Sequence, residues 1–269
     1  MKRAFIFAGT NGAGKTTLYF NELELAKDFG FRINVDEIVS AFGDSRNTQD
    51  QIRASKIALK IRQNYILQAK DFNQESTLCG NSIISLFYKL KNENYQINLF
   101  YIGLENVQIA KERVKMRVLK GGHNVAENLI EKRYDESLKN FIKISHLCDN
   151  IVVFDNTQNY KKLFELNFDK LSIFNEAIWA LELLNHLKNI VKNRQIQNTL
   201  ETQERFNPIQ TMQEELSKMP RVKDLTQNFK ENLQESFNMK LDENISQNEN
   251  NCLKEAIKTI KIKGKDDAL

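Results

Sequence analysis

Two hydrophobic patterns alternate over the first 174 residues. Short β-rich apolar runs occupy residues 4–8, 31–36 (FRINVD), 96–104 (QINLFYIGL) and 150–155 (NIVVFD), and the stretch FNQEST from Phe72 carries a short strand ending at Glu75. Between them lie polar-rich segments whose apolar residues recur near helical spacing: about 15–28, 45–69, 82–92, 106–120, and from Asn124 to about 145. In 45–69 the apolar positions are Ile52, Ile57, Leu59, Ile61, Ile66 and Leu67. Asn124 and Glu127 have the spacing of an N-cap and its N3 partner, and Gly121-Gly122 ends the helix before them. A helix and then a strand are expected between Asp155 and Phe174. Strands alternating with helices predict an α/β fold, a mostly parallel sheet with helices on both faces, whose ligands bind beyond the carboxyl ends of the strands. That rule places the N-terminal loop, Asp36, Glu75 and the Glu105 region on one edge.

Beyond Phe174 the pattern changes. No glycine occurs between Gly122 and Gly264, both prolines (Pro208 and Pro220) fall here, and Gln, Asn, Glu and Lys dominate. Residues 175–207 predict a long helix with an apolar first half (Ile178, Trp179, Leu181, Leu183, Leu184, Leu187) packed on the core. Pro208 and Pro220 should bracket a short helix, because proline disfavours helical geometry in the residue before it. The expected division is thus 1–174, 175–207 and 208–269, the last a helical extension or partner-binding tail.

The loop after the first strand, GTNGAGKT, matches G-x-x-x-x-G-K-[ST] at every fixed position. Gly9, Thr10, Asn11, Gly12, Ala13 and Gly14 would curl the backbone so that successive N–H groups face a polyphosphate. Lys15 would reach the β/γ-phosphates, Thr16 would offer its hydroxyl to Mg²⁺, and Thr17 would continue the helix N-terminus, whose partial positive charge favours the anion. ATP with Mg²⁺ is therefore the expected ligand. Hydrophobic residues make up 41% of the chain and its net charge is +4, with about +5 up to Phe174 and about −1 beyond. This balance favours an anionic small molecule and does not call for nucleic acid. The short apolar run at the start reads as a strand rather than a signal peptide, and no stretch approaches the roughly 20 residues of a membrane span. Cys79, Cys148 and Cys252 form no C-x-x-C pair, which with the foregoing points to the reducing cytoplasm.

Four candidate groups follow from residue chemistry. Asp36, after the second strand, could accept the proton of an acceptor hydroxyl, or cap the helix that starts there. Glu75 could hold substrate or organise Mg²⁺, or simply lie solvated at a strand end. Arg113 and Arg117, four apart on one helix face, could brace a transferring γ-phosphate or pair with neighbours such as Glu112. Arg133 is a further anion contact or a helix-surface arginine.

The blocks INVD (33–36), QEST (74–77) and ERVKMRVLKGGHNVAENLIEKRYDESLKNF (112–141), taken with the P-loop, resemble the zeta toxin family of P-loop kinases, in its chromosomal branch with R-x-x-x-R-x-x-x-G-G-H. The resemblance spans about residues 3–160. It implies a kinase that moves the γ-phosphate of ATP to a hydroxyl of UDP-N-acetylglucosamine, the toxin of a toxin–antitoxin pair with an antitoxin protein as partner. It also implies Asp36 as the base and Glu75 as a substrate-binding carboxylate; beside it, Lys15, Arg113 and Arg117 are read as catalytic phosphate contacts, and Thr77, His123 and Arg133 as further substrate contacts. Here Ser76 intervenes between Glu75 and Thr77, where the family commonly has Glu-Thr or Glu-Gly. A kinase for another nucleotide or metabolite, and a non-catalytic NTP-dependent binding protein, fit the same residues.

Overall fold

A computed structural model of the 269-residue chain describes residues 1–218 except Ala26, Ser45 and His123, with side chains described up to residue 200. The chain divides between Glu201 and Thr202 into two units, and the first of them contains the entire sheet.

Seven strands form this sheet in the order β2-β3-β1-β4-β5-β6-β7. They are β1 (Arg3–Ala8), β2 (Phe31–Ile33), β3 (Phe72–Ser76), β4 (Gln96–Gly103), β5 (Asn150–Asp155), β6 (Lys161–Asn167) and β7 (Lys170–Ile173). The first five run parallel, and β6 and β7 are antiparallel additions at one edge. The helices are α1 (Lys15–Glu24), α2 (Val35–Ser40), α3 (Thr48–Leu67), α4 (Asn81–Asn92), α5 (Val107–Leu119), α6 (Glu127–Ile144) and α7 (Leu181–Lys218).

Side chains of a strand point alternately to its two faces, and β1 shows both being filled. Ala4, Ile6 and Ala8 join one apolar cluster with α4 residues such as Phe87 and Leu90, Phe141 of α6, and Leu183, Leu184, Leu187 and Ile190 of α7. Phe5 and Phe7 join the other with Leu18 and Tyr19 of α1 and Ala110 and Val114 of α5. Burial on both faces is why the central strands read as continuous apolar runs.

Four expectations are corrected. The stretch after β5 is a β-hairpin, not a helix and strand, and its connection places Phe168 at φ 53. Asn124 does not cap α6, which starts at Glu127 after Ala126 with no side-chain cap; Val125 is buried in the second cluster, and Ala126 at φ −58, ψ 138 is not yet helical. The FRINVD run ends as a strand at Ile33, because the Asn34 side chain accepts from the N–H groups of Asp36 and Glu37 and starts α2. Finally, α7 passes through Pro208. A proline inside a helix removes one N–H and bends the axis, and neighbouring turns can carry the helix past it. Pro220 and the rest of the expected extension to Leu269 lie outside the described residues. Among those described, no helix is long and apolar enough to cross a membrane.

Candidate functional site

Parallel pairing lines up the carboxyl ends of β1 and β3, with Phe7 opposite Glu75 and Ala8 opposite Ser76. Where β1 stops, the chain turns through Gly9 at φ 147, and a Cβ there would stand 2.2 Å from the Ile102 carbonyl oxygen. Gly14 at φ 97 then caps α1, and a Cβ there would stand 2.2 Å from the Tyr160 hydroxyl. Only glycine suits both positions, so the loop closes tightly on its neighbours and presents the N-terminus of α1 outward. Tyr160 donates to the Gly14 carbonyl and Asn156 to the Ala13 carbonyl at 2.8 Å, which clamps the loop from the β5–β6 side.

The loop forms one wall of a cleft of about 740 Å³. Asn11, Gly12, Gly14, Lys15, Thr16 and Thr17 line it, and so do Asp36, Glu75, Thr77, Arg113, Arg117 and Arg133. Residues as far apart in sequence as Asn11 and Arg133 thus meet, and the Arg133 guanidinium donates to the Asn11 side chain at 2.9 Å. Gly9, Thr10 and Ala13 are buried and form the loop's inner side. His123 lies outside the described residues. The Glu105 region follows the carboxyl end of β4 on the same edge of the sheet, as expected, but with Asp155, Lys161 and Trp179 it lines a separate cavity of about 220 Å³. Asp155, the carboxylate that ends β5, is held there by Thr157 and by Trp179 Nε1 at 3.2 Å.

Electrostatics within the cleft are tightly coupled. Burial lowers the Lys15 pKa; Glu75 and Asp36 pull it back up, and Arg117 and Arg133 push it further down. Lys15 Nζ donates to the carbonyls of Gly9 and Thr10, 3.0 Å each. Thr16 Oγ1 donates to Glu75 Oε2 at 2.8 Å. Asp36 is in the first turn of α2, with its backbone N–H on Asn34, so it is not the cap itself. Arg113 and Arg117 both line the cleft, and Arg113 Nη2 donates to the Thr157 carbonyl at 3.1 Å.

Arg32 and Asn34 do not stand out in the sequence, yet both reach the site. The Arg32 guanidinium lies 3.7 Å from the centre of the Tyr19 ring and donates to Glu75 Oε1 at 2.6 Å and to Glu37 at 2.7 Å. Burial pulls the Arg32 pKa down, but its hydrogen bonds to Glu37 and Glu75 hold it above the usual arginine value. Asn34 Nδ2 also donates to Glu75 Oε1, at 2.9 Å. The available sequence signal is that a carboxylate near the end of a buried strand needs a partner, and Arg32 is the one cation in FRINVD.

The glycine loop at the end of the central strand, the helix it caps and the carboxylate of the adjacent parallel strand define a P-loop kinase-like fold. The zeta toxin family model matches residues 1–167, and the chain belongs to that family. An uncharacterized protein of Haemophilus influenzae is 35% identical over 133 residues, 49% of this chain and 92% of that one. Among solved structures, the AvrRxo1-ORF1:AvrRxo1-ORF2 complex with sulphate ions aligns with a TM-score of 0.51 at 14% identity. That alignment covers 66% of this chain and 62% of the AvrRxo1 one, so the chain spans less than two thirds of its length. The PezAT chromosomal toxin–antitoxin system of Streptococcus pneumoniae aligns with a TM-score of 0.48 at 14% identity, over 72% of this chain and 87% of that one.

Proposed function

We propose that this chain is an ATP-dependent phosphotransferase, moving the γ-phosphate of ATP to a hydroxyl of UDP-N-acetylglucosamine or a similar sugar nucleotide, as the toxin of a toxin–antitoxin pair with an antitoxin protein as partner. The observation that carries the kinase reading is that one cleft gathers the P-loop lysine and threonine, two carboxylates and three guanidinium groups. Family membership supports the acceptor and the antitoxin. The cytoplasm, where ATP and sugar nucleotides are found, is the compartment this reading requires.

The loop N–H groups and Lys15 bind the phosphates, and Arg113, Arg117 and Arg133 supply positive charge along them. Asp36, at the cleft wall, takes the proton of the acceptor hydroxyl as the acceptor oxygen bonds to the γ-phosphorus and the bond to the β–γ bridging oxygen breaks, releasing ADP. Thr77 and His123 are assigned to the acceptor side. Mg²⁺ fits the oxygen pair Thr16 Oγ1 and Glu75 Oε2, since this small ion takes few protein ligands and fills the rest with water and phosphate. Bound there, it would offset the charge of the β- and γ-phosphates.

Mass spectrometry of the protein with Mg-ATP and a panel of sugar nucleotides is expected to find an acceptor heavier by one phosphoryl group. Asp36→Asn should lower turnover by about 10²–10⁴-fold while ATP affinity in calorimetry stays within about threefold of wild type. Undiminished turnover would remove Asp36 as the base. ATP binding with no phosphorylated product from any acceptor would leave a nucleotide-dependent binding protein.

A further inference from the structure

Glu75 is held by both oxygens in different ways. Its Oε2 accepts from Thr16, and its Oε1 accepts from Arg32 and Asn34 at 2.6 and 2.9 Å. Arg32 lies on β2 and Asn34 just past its end, on the far side of β3 from the P-loop strand. Asn34 is 7% exposed and makes two kinds of bond at once. Its Oδ1 takes the Asp36 and Glu37 N–H groups that open α2, and its Nδ2 goes to Glu75. One amide therefore fixes the turn that carries Asp36 and the carboxylate that faces Thr16. Arg32 adds charge to the same oxygen and is pinned in turn by Tyr19 and Glu37.

We infer that Arg32 and Asn34 are a pair of positioning residues: they hold Glu75 Oε1 so that its second oxygen is directed at Thr16, and so couple nucleotide binding to Mg²⁺. The inference rests on the proposed nucleotide site but not on phosphoryl transfer. Without the pair, Glu75 Oε2 is one of several orientations open to a glutamate at the edge of a water-filled cleft, and the Thr16–Glu75 oxygen pair is present only part of the time. Groups that orient a metal's ligands from behind typically govern about 10–100-fold in metal affinity. Asn34 has a further consequence, because the spacing between Asp36 and Glu75 is set through its single side chain.

The test is calorimetry of ATP binding to the full chain with and without Mg²⁺, taking the ratio of the two dissociation constants. Arg32→Gln and Asn34→Ser are each expected to shrink that ratio about tenfold and to leave Mg²⁺-free ATP affinity within about twofold. Serine is chosen because its hydroxyl still caps α2 but does not reach Glu75. Thermal unfolding identifies a variant that has lost its fold, and Arg32→Lys, which keeps the charge but not the fork, should fall between wild type and Arg32→Gln. A Mg²⁺ ratio unchanged in both folded variants would overturn the inference. So would a wild-type protein whose ATP affinity does not depend on Mg²⁺. Intact Mg²⁺ coupling without acceptor phosphorylation would instead overturn the kinase reading and leave the clamp standing.

Discussion

At the residue scale, Lys15 shows how a binding site trades stability for charge. Burial disfavours its ammonium form, and its pKa sits below the ordinary 10.5. Between that lowered value and 10.5 the unfolded chain binds more protons than the folded one, so this group makes the fold more stable as pH rises through the window. The phosphate contact runs the other way, because the neutral amine attracts no anion. ATP affinity should therefore decline with rising pH before an unperturbed lysine would titrate, and Lys15→Arg, whose guanidinium stays charged, should not show that decline. Calorimetry from neutral pH to about 10 separates the two, and parallel curves would exclude the lysine as the titrating contact. Lys15 itself is legible because the motif fixes its place. Arg32 and Asn34 are not, because their bonds to Glu75 span 43 and 41 positions and depend on β2 pairing with β3.

At the element scale, the central parallel strands are legible from apolar runs that need partners on both faces, and the edge is not. The β6–β7 turn has no Asn-Gly or Asp-Gly; a phenylalanine occupies the left-handed region instead, so the usual hairpin signal is missing. The start of α2 is obscured for a related reason: Asp36 is the conspicuous carboxylate, while the side chain that caps the helix stands two residues earlier. Trp179, expected on the first apolar stretch of the long helix, lies instead in a 3₁₀ turn (Ile178–Ala180) and covers the carboxyl end of β4. A Cβ on Gly103 would stand 1.9 Å from its ring. Gly103→Ala should displace that ring, break its bond to Asp155, and cost about 2 kcal/mol, within the range for overpacking a core. Chemical denaturation measures the cost, and tryptophan fluorescence reports the displacement since the chain has a single Trp. A stability change near zero with unaltered emission would mean the ring is not packed there.

At the scale of the whole molecule, the question is which part of the chain the site needs. Among the described residues, those lining the main cleft fall between Asn11 and Tyr160. Among residues whose side chains are described, the buried apolar ones run from Ala4 to Ile190, and along α7 the last of them are Leu187 and Ile190. Further along that helix Ile196 and Leu200 are 48% and 53% exposed, so its core-facing stripe ends before the boundary at Glu201. A chain ending at Glu201 keeps the packed half of α7 and both apolar clusters. We expect this shortened chain to unfold in one cooperative step within about 4 °C of the full-length midpoint and to bind Mg-ATP within twofold of it. A drop well beyond that, or lost nucleotide binding, would show that residues after Glu201 complete the fold or the site. If both properties survive, a change in toxicity or in antitoxin binding on shortening would assign those residues to a partner rather than to phosphate chemistry.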